Sequence, residues 1–157
     1  FALLVVDPDV PATAEHVNLD GQTISESLPR VDFYHWCMVN IPLAVTEIAQ
    51  GSCSRGVVLG GKNDPAGPSG ALQGVNDYTN FMAGSDLAGR YHGYDGPCPP
   101  WNDECIHHYH FKVFALDVES LALPAAFGGQ DLVAAMSGHV LAEASIVGTY
   151  TLFAGYL

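Results

Sequence analysis

Gly96-Pro97-Cys98-Pro99-Pro100-Trp101-Asn102-Asp103-Glu104-Cys105-Ile106-His107-His108-Tyr109-His110-Phe111 joins a stiff loop to a strand. Pro97, Pro99 and Pro100 fix φ and remove backbone donors, so this loop belongs to neither a helix nor a central strand. From His107 onward the pattern alternates. His107, Tyr109, Phe111, Val113 and Ala115 fall on one face, and His108, His110, Lys112, Phe114 and Leu116 on the other. A rigid loop that ends in polar side chains paired on a strand is a way to build a small binding site. The segments upstream are expected to supply its partners.

Working outward, Phe1 to Val6 is continuously apolar, as expected of a strand buried on both faces, and it ends in Asp7-Pro8-Asp9-Val10-Pro11. Residues 12–34 are polar and turn-rich and read as a surface excursion. Tyr34-His35-Trp36-Cys37-Met38-Val39-Asn40-Ile41-Pro42 reads as a second central strand stopped by proline. Residues 43–95 hold the short apolar run Val57-Val58-Leu59, a long loop rich in Gly, Asn, Asp and Pro, and a short strand within Ala71 to Tyr78. Asp131 opens an expected helix to about Ser145, with Leu132, Met136, Val140 and Ala144 at helical spacing. Ile146 to Phe153 reads as the last strand.

The chain has 157 residues, 48% of them hydrophobic, with 17 Gly and 10 Pro, which favours one domain of β structure with long loops over a helical bundle. A chain of this size buries roughly two thirds of its unfolded surface, enough for a core without staples. The formal net charge is −12, and Arg30, Arg55, Lys62, Arg90 and Lys112 form no stripe. Nucleic acid and anionic membrane surfaces need clustered cations, so both are excluded as broad partners. A small anion can still be held locally by backbone N–H groups and histidines. Cys37 sits in an apolar run and reads as a buried thiol. Cys98 and Cys105 flank the proline loop, a spacing that resembles no zinc ribbon and leaves a disulfide open. No apolar run reaches transmembrane length, so stable membrane insertion is not expected. The chain opens inside a strand, and strands preceding Phe1 are therefore expected in the natural protein. The cytoplasm is the expected location, with the periplasm or secretion left open.

Three constellations carry chemistry. Asp7 and Asp9 stand two apart in an extended, proline-braced segment, so they are expected to point the same way. Such a pair would orient a histidine or share a proton with an anionic ligand; alternatively it is an Asp-Pro turn that ends a strand. Asp9 in particular is expected to face the site and accept a hydrogen bond from His35 or His107. His107 and Tyr109 share a face about 7 Å apart along the strand, and with His35 from another strand they could converge on one anion. The alternative is core histidines with satisfied hydrogen bonds. His108 and His110, with Asp103, Glu104 or Cys105, form a conceivable metal chelate. No Gly-x-Ser-x-Gly, phosphate loop or dinucleotide fingerprint is present, and Ser137-Gly138-His139 lacks the setting of a nucleophile elbow.

Asp7-Pro8-Asp9-Val10-Pro11, His35-Trp36 with Val39-Asn40-Ile41-Pro42, and Gly96-Pro97-Cys98-Pro99-Pro100 followed by His107-His108-Tyr109 come in the order found in the phosphatidylethanolamine-binding protein family. That family includes the Raf kinase inhibitor proteins. The chain most resembles its bacterial and archaeal branch, where Tyr-Asp-Gly-Pro-Cys-Pro-Pro and a terminal Gly148-Thr149-Tyr150 are familiar. The resemblance implies an antiparallel β-sandwich with a C-terminal helix, long loops and a small anion pocket. It places Asp7, Asp9, His35, Gly96, Cys98, Pro99, His107 and Tyr109 around that pocket. His108 stands where the family commonly has arginine, so a nearby charge is lost at neutral pH.

Two functions from different classes follow. One is a non-catalytic, cofactor-free module that binds phosphate, a phosphorylated head group or a carboxylate, regulates a protein partner such as a kinase or protease, and leaves homodimerisation open. The other is a metal-dependent or carboxylate/His hydrolase built on His108, His110 and an acidic residue. Fold and pocket do not name a protein partner.

Overall fold

The computed structural model describes residues 1–54 and 58–156. β1 (Ala2–Pro11) is the central strand, flanked by β2 (Arg30–Val39) and β4 (His107–Leu116); β3 (Leu72–Gln73) lies beyond β2 and β5 (Val140–Tyr150) beyond β4. Every pairing is antiparallel, so the architecture is mainly β as expected, in one five-stranded sheet of order β3-β2-β1-β4-β5. Among the described residues two short α-helices accompany it, α1 (Tyr78–Phe81) and α2 (Gly129–Met136). Among the described residues no helix is long and apolar enough to cross a membrane.

The continuous apolar run of β1 is explained by cover on both faces. Leu4 and Val6 pack with Tyr34, Phe114 and Phe127, and with Leu132 and Met136 of α2. On the other face Val5, Trp36 and Met38 pack with Ile41, Ala71, Tyr94 and Phe111, so the long segment after β2 roofs that side. The alternation expected for residues 107–116 holds, with Phe111 on the roofed face and Phe114 under α2.

The register of β1 on β2 slips twice, and both slips shape the site. Val5 faces Trp36 while Val6 faces Tyr34, which makes His35 the extra residue of a bulge. Strict alternation would send His35 toward α2; the bulge turns it to the face that carries Asp7 and Tyr109. Asp7 faces Phe33 while Val10 faces Val31, so the strand also bulges at Pro8-Asp9. Pro8 has no N–H to donate, and a break in the ladder costs little there.

Several boundaries differ from the sequence reading. β2 begins at Arg30, taking in the end of the polar excursion. The helix expected to reach Ser145 stops at Met136, and β5 begins at Val140 instead of Ile146. Gly138 has φ +82, the left-handed conformation that ends a helix, and beyond it β5 pairs with β4 along its whole length. Val140 and Ala144 keep helical spacing with Leu132 and Met136, but the open edge of β4 outweighs that local signal. The short strand expected within residues 71–78 is β3. Val57 lies outside the described residues, and Val58 and Leu59 are exposed and unpaired to any strand. Every residue of β5 is solvent-exposed.

Candidate functional site

The roofed face ends in polar residues. Asp7 continues the row of Leu3 and Val5, Tyr109 and His107 continue the row of Phe111, and the bulge adds His35. His107 Nδ1 lies 2.7 Å from Asp7 Oδ2, and His107 Nε2 lies 3.2 Å from Asp103 Oδ2. Asp103 is braced in turn by Arg30, whose NH1 and NH2 stand 2.5 and 3.0 Å from its two oxygens. Arg30, Asp103, His107 and Asp7 thus form one line of alternating charge, with His107 and Asp103 fully buried.

Burial disfavours the charged form of His107, but the hydrogen bonds and charges of Asp103 and Asp7 outweigh it and raise its pKa to about 9. Burial likewise opposes ionisation of Asp7. The His107 N–H, the nearby His35, the His107 charge and the Asp9 N–H together hold its carboxyl well below the usual carboxylate range. Asp103 is also lowered, against burial, by His107, Arg30 and the Cys105 N–H. At neutral pH the centre is therefore an imidazolium between two carboxylates. Both His107 nitrogens are engaged, so neither donates to a ligand.

The groups left over are His35 and Tyr109. His35 is 2% exposed and Tyr109 3%, and neither ring nitrogen of His35 nor the Tyr109 hydroxyl has a hydrogen-bond partner. His35 Nε2 stands 3.8 Å from Asp7 Oδ2, too long for a hydrogen bond. The two rings lie edge to face with centroids 5.1 Å apart. Burial first, and then the Asp7 charge, push the Tyr109 hydroxyl far above the usual phenol range, so it remains a donor. Buried polar groups without partners are rare and cost about 1–3 kcal/mol each. Three such atoms, both His35 ring nitrogens and the Tyr109 hydroxyl, gather around the Asp7 carboxylate and make this the candidate site.

Phe33, Tyr78 and Phe81 form an aromatic cluster beside His35. Tyr78 stands edge-on to His35 at 5.7 Å and to Phe33 at 5.0 Å. Burial, then Cys98, Asp95 and Asp7, raise its hydroxyl pKa. Cys98 is exposed and bears on both Tyr78 and Tyr109, while Pro99 is buried and Gly96, at φ +82, turns the chain into the loop. Asp95 anchors the loop's entrance through Lys62 and Asn76, both at 2.7 Å. Asn102 anchors its exit. It accepts the Asn18 N–H at 2.9 Å and donates to the His16 and Gln22 carbonyls at 2.8 and 3.1 Å.

Asp9 stands apart from this group. The Pro8-Asp9 bulge turns its carboxylate outward, where Oδ2 accepts both the His108 N–H and, at 2.8 Å, His108 Nδ1. The role expected of Asp9 is occupied by Asp7. His108 is consumed by that pair, and among the described residues no group of three or more His, Cys, Asp and Glu is placed to hold a metal ion. All four cysteines are free thiols, and burial pushes Cys37 up to about 12. Arg30, Phe33 and Tyr78 were missed by sequence reasoning, and Asp103 was considered only as a metal ligand beside His108 and His110. The one available signal was the acid on the turn before His107.

Residues 1–151 match the family model for phosphatidylethanolamine-binding protein. The chain belongs to this family. It is 34% identical over 152 residues to a UPF0098 protein of Aquifex aeolicus, covering 96% of this chain and 64% of that one. A UPF0098 protein of Pyrococcus horikoshii, PH1269, is 40% identical over 122 residues, covering 78% of this chain and 51% of the relative. The chain thus spans between half and two thirds of these relatives. The crystal structure of Escherichia coli YbcL, described as a new member of the mammalian family, superposes with a TM-score of 0.64 at 29% identity, covering 96% of this chain and 70% of YbcL. The fold is of the same type, and the relatives are bacterial and archaeal, as the motifs suggested.

Proposed function

We propose that this chain is a binding module for a small oxyanion: phosphate, a phosphorylated head group or a carboxylate. The observation that carries the reading is the set of buried donors without partners, His35 and the Tyr109 hydroxyl, beside an imidazolium that supplies positive charge from behind. His35 and Tyr109 would donate to the ligand oxygens. His107 would act through space, held by Asp7 and Asp103. Gly96, Cys98 and Pro99 would shape the rim with Phe33 and Tyr78, and Asp9 would support the β1 bulge from outside. The family's name, which includes a phosphorylated lipid head group, agrees with this chemistry.

The test is calorimetry with inorganic phosphate on the unaltered protein and on two variants. Tyr109→Phe and His35→Leu each remove a donor, and each should weaken phosphate binding by about tenfold. Phosphate binding that is absent, or indifferent to both changes, overturns the reading.

A further inference from the structure

His35 reaches the polar end of the roofed face only through the bulge in β2, and the outer edge of that strand carries a matching irregularity. The Cys37 carbonyl accepts the Gly74 N–H at 2.9 Å, and the Tyr34 carbonyl accepts the Asp77 N–H at 2.9 Å. In a regular strand, residues three apart turn their carbonyls to opposite edges. Here both meet the same segment, which runs on from β3, so the bulge is gripped by β1 on one side and by residues 74–77 on the other. We infer that Asp77 is the positioning residue for His35: its carboxylate stands in for a strand carbonyl opposite Tyr34 and so holds the bulge that aims His35 toward Asp7 and Tyr109. The effect on ligand binding rests on the oxyanion reading above, and the effect on His35 rests on the geometry alone.

In a hydrogen-bonded antiparallel pair, each residue gives both its N–H and its carbonyl to the one opposite. Asp77 gives its N–H to Tyr34, but its carbonyl is spent on the Asn80 and Phe81 N–H groups, at 3.1 and 2.9 Å, because the chain turns there into α1. The Tyr34 N–H needs another acceptor, and Asp77 Oδ2 takes it at 2.7 Å. An aspartate at a helix start ordinarily caps its own helix. This one makes no such bond and reaches back to β2 instead. Asn76 fixes the approach: its Nδ2 donates to the Gly93 carbonyl at 3.0 Å and to Asp95 at 2.7 Å, and its Oδ1 accepts the Tyr78 N–H at 3.1 Å. Tyr78, the next residue along, then stands edge-on to His35. On the opposite face Gly129 of α2 packs so closely on the Tyr34 ring that a Cβ there would collide with it. Burial raises the Asp77 pKa against the pull of the Tyr34 N–H and of His35, so the role calls for an acceptor and not for a charge.

Nuclear magnetic resonance and calorimetry test this together. In the unaltered protein a scalar coupling across the hydrogen bond should join the Tyr34 amide to the Asp77 carboxylate carbon. Overhauser contacts should join the rings of His35 and Tyr109, whose centroids lie 5.1 Å apart. Asp77→Leu removes the acceptor and should abolish those ring contacts, whereas Asp77→Asn keeps an acceptor and should retain them. Inorganic phosphate should bind about tenfold more weakly to Asp77→Leu and recover in Asp77→Asn. Adding Asp77→Leu to His35→Leu should weaken phosphate binding no further, because Asp77 acts through His35. An acid that only stabilises the fold would lower the melting temperature and leave ring contacts and affinity unchanged, and that result overturns the inference. A missing coupling in the unaltered protein overturns it too, whether or not Asp77→Leu folds. If the unaltered protein fails to bind phosphate, the oxyanion reading falls, and the ring contacts alone decide the role of Asp77.

Discussion

His107 is a cation by construction, and its surroundings give the fold a pH signature. Its pKa is raised from 6.5 to about 9, so the stability it contributes is complete below pH 6.5 and is lost as pH rises through about 9. At roughly 1.36 kcal/mol per unit this amounts to about 3 kcal/mol. Thermal melts should fall between these limits, and His107→Gln should flatten that slope. Asp7 acts at the other end. Its depressed pKa contributes stability above the ordinary carboxylate range, lost only as pH falls below it. Tyr109 makes the opposite kind of prediction. Its hydroxyl is buried without a partner, so Tyr109→Phe should leave folding unchanged or stabilise it by up to about 1 kcal/mol while binding weakens. A clear loss of stability in that variant, read by denaturant titration, would show that the hydroxyl is bonded within the protein.

At the scale of elements, the loop of residues 96–105 is held at both ends and stiffened between. Asn102 ties it to the 12–29 excursion through one accepted and two close donated bonds, and Arg30 ties it to β2 through Asp103. Asn102 is itself buried, and Asn102→Ala removes three part-buried hydrogen bonds, which should cost about 2–3 kcal/mol, measured by urea unfolding. On the proposed reading, buried Pro99 holds the loop ready for the ligand. Pro99→Ala should therefore reduce phosphate affinity, read by calorimetry, more than stability, because a looser loop must be ordered on binding. These ties also explain what could be read beforehand. Apolar runs ended by proline made β1 and β2 legible, and alternation made β4 legible with His107 and Tyr109 on one face; Asp7 was joined to them only through the family motif. The partnership of Arg30 with Asp103 was not legible, since nothing local links residues 73 positions apart. Asp9 misled for a related reason. Alternation assumes a regular strand, and a bulge at Pro8-Asp9 reverses the side on which the next residue falls. The same irregularity at His35 works in favour of the site, and sequence periodicity is blind to both.

For the molecule as a whole, the net charge of −12 opposes the approach of any anion. On the proposed reading the His35 and Tyr109 donors act at short range against a field that repels at long range. An inert salt screens the long-range part first, so the association rate for phosphate should rise with ionic strength, by about two- to threefold across a few tenths molar, in stopped-flow mixing. A falling rate would mean that a positive patch steers the ligand in. The sheet adds a consequence of its own. Among the described residues β5 pairs with β4 alone, and all of its residues from Val140 to Tyr150 meet solvent. In an antiparallel ladder alternate amides of such a strand point toward the neighbour and the others point away. Deuterium uptake from Ala142 to Tyr150, beyond the register shift at Leu141, should therefore alternate residue by residue, slow then fast, so that the strand records in its exchange rates which of its sides is bonded.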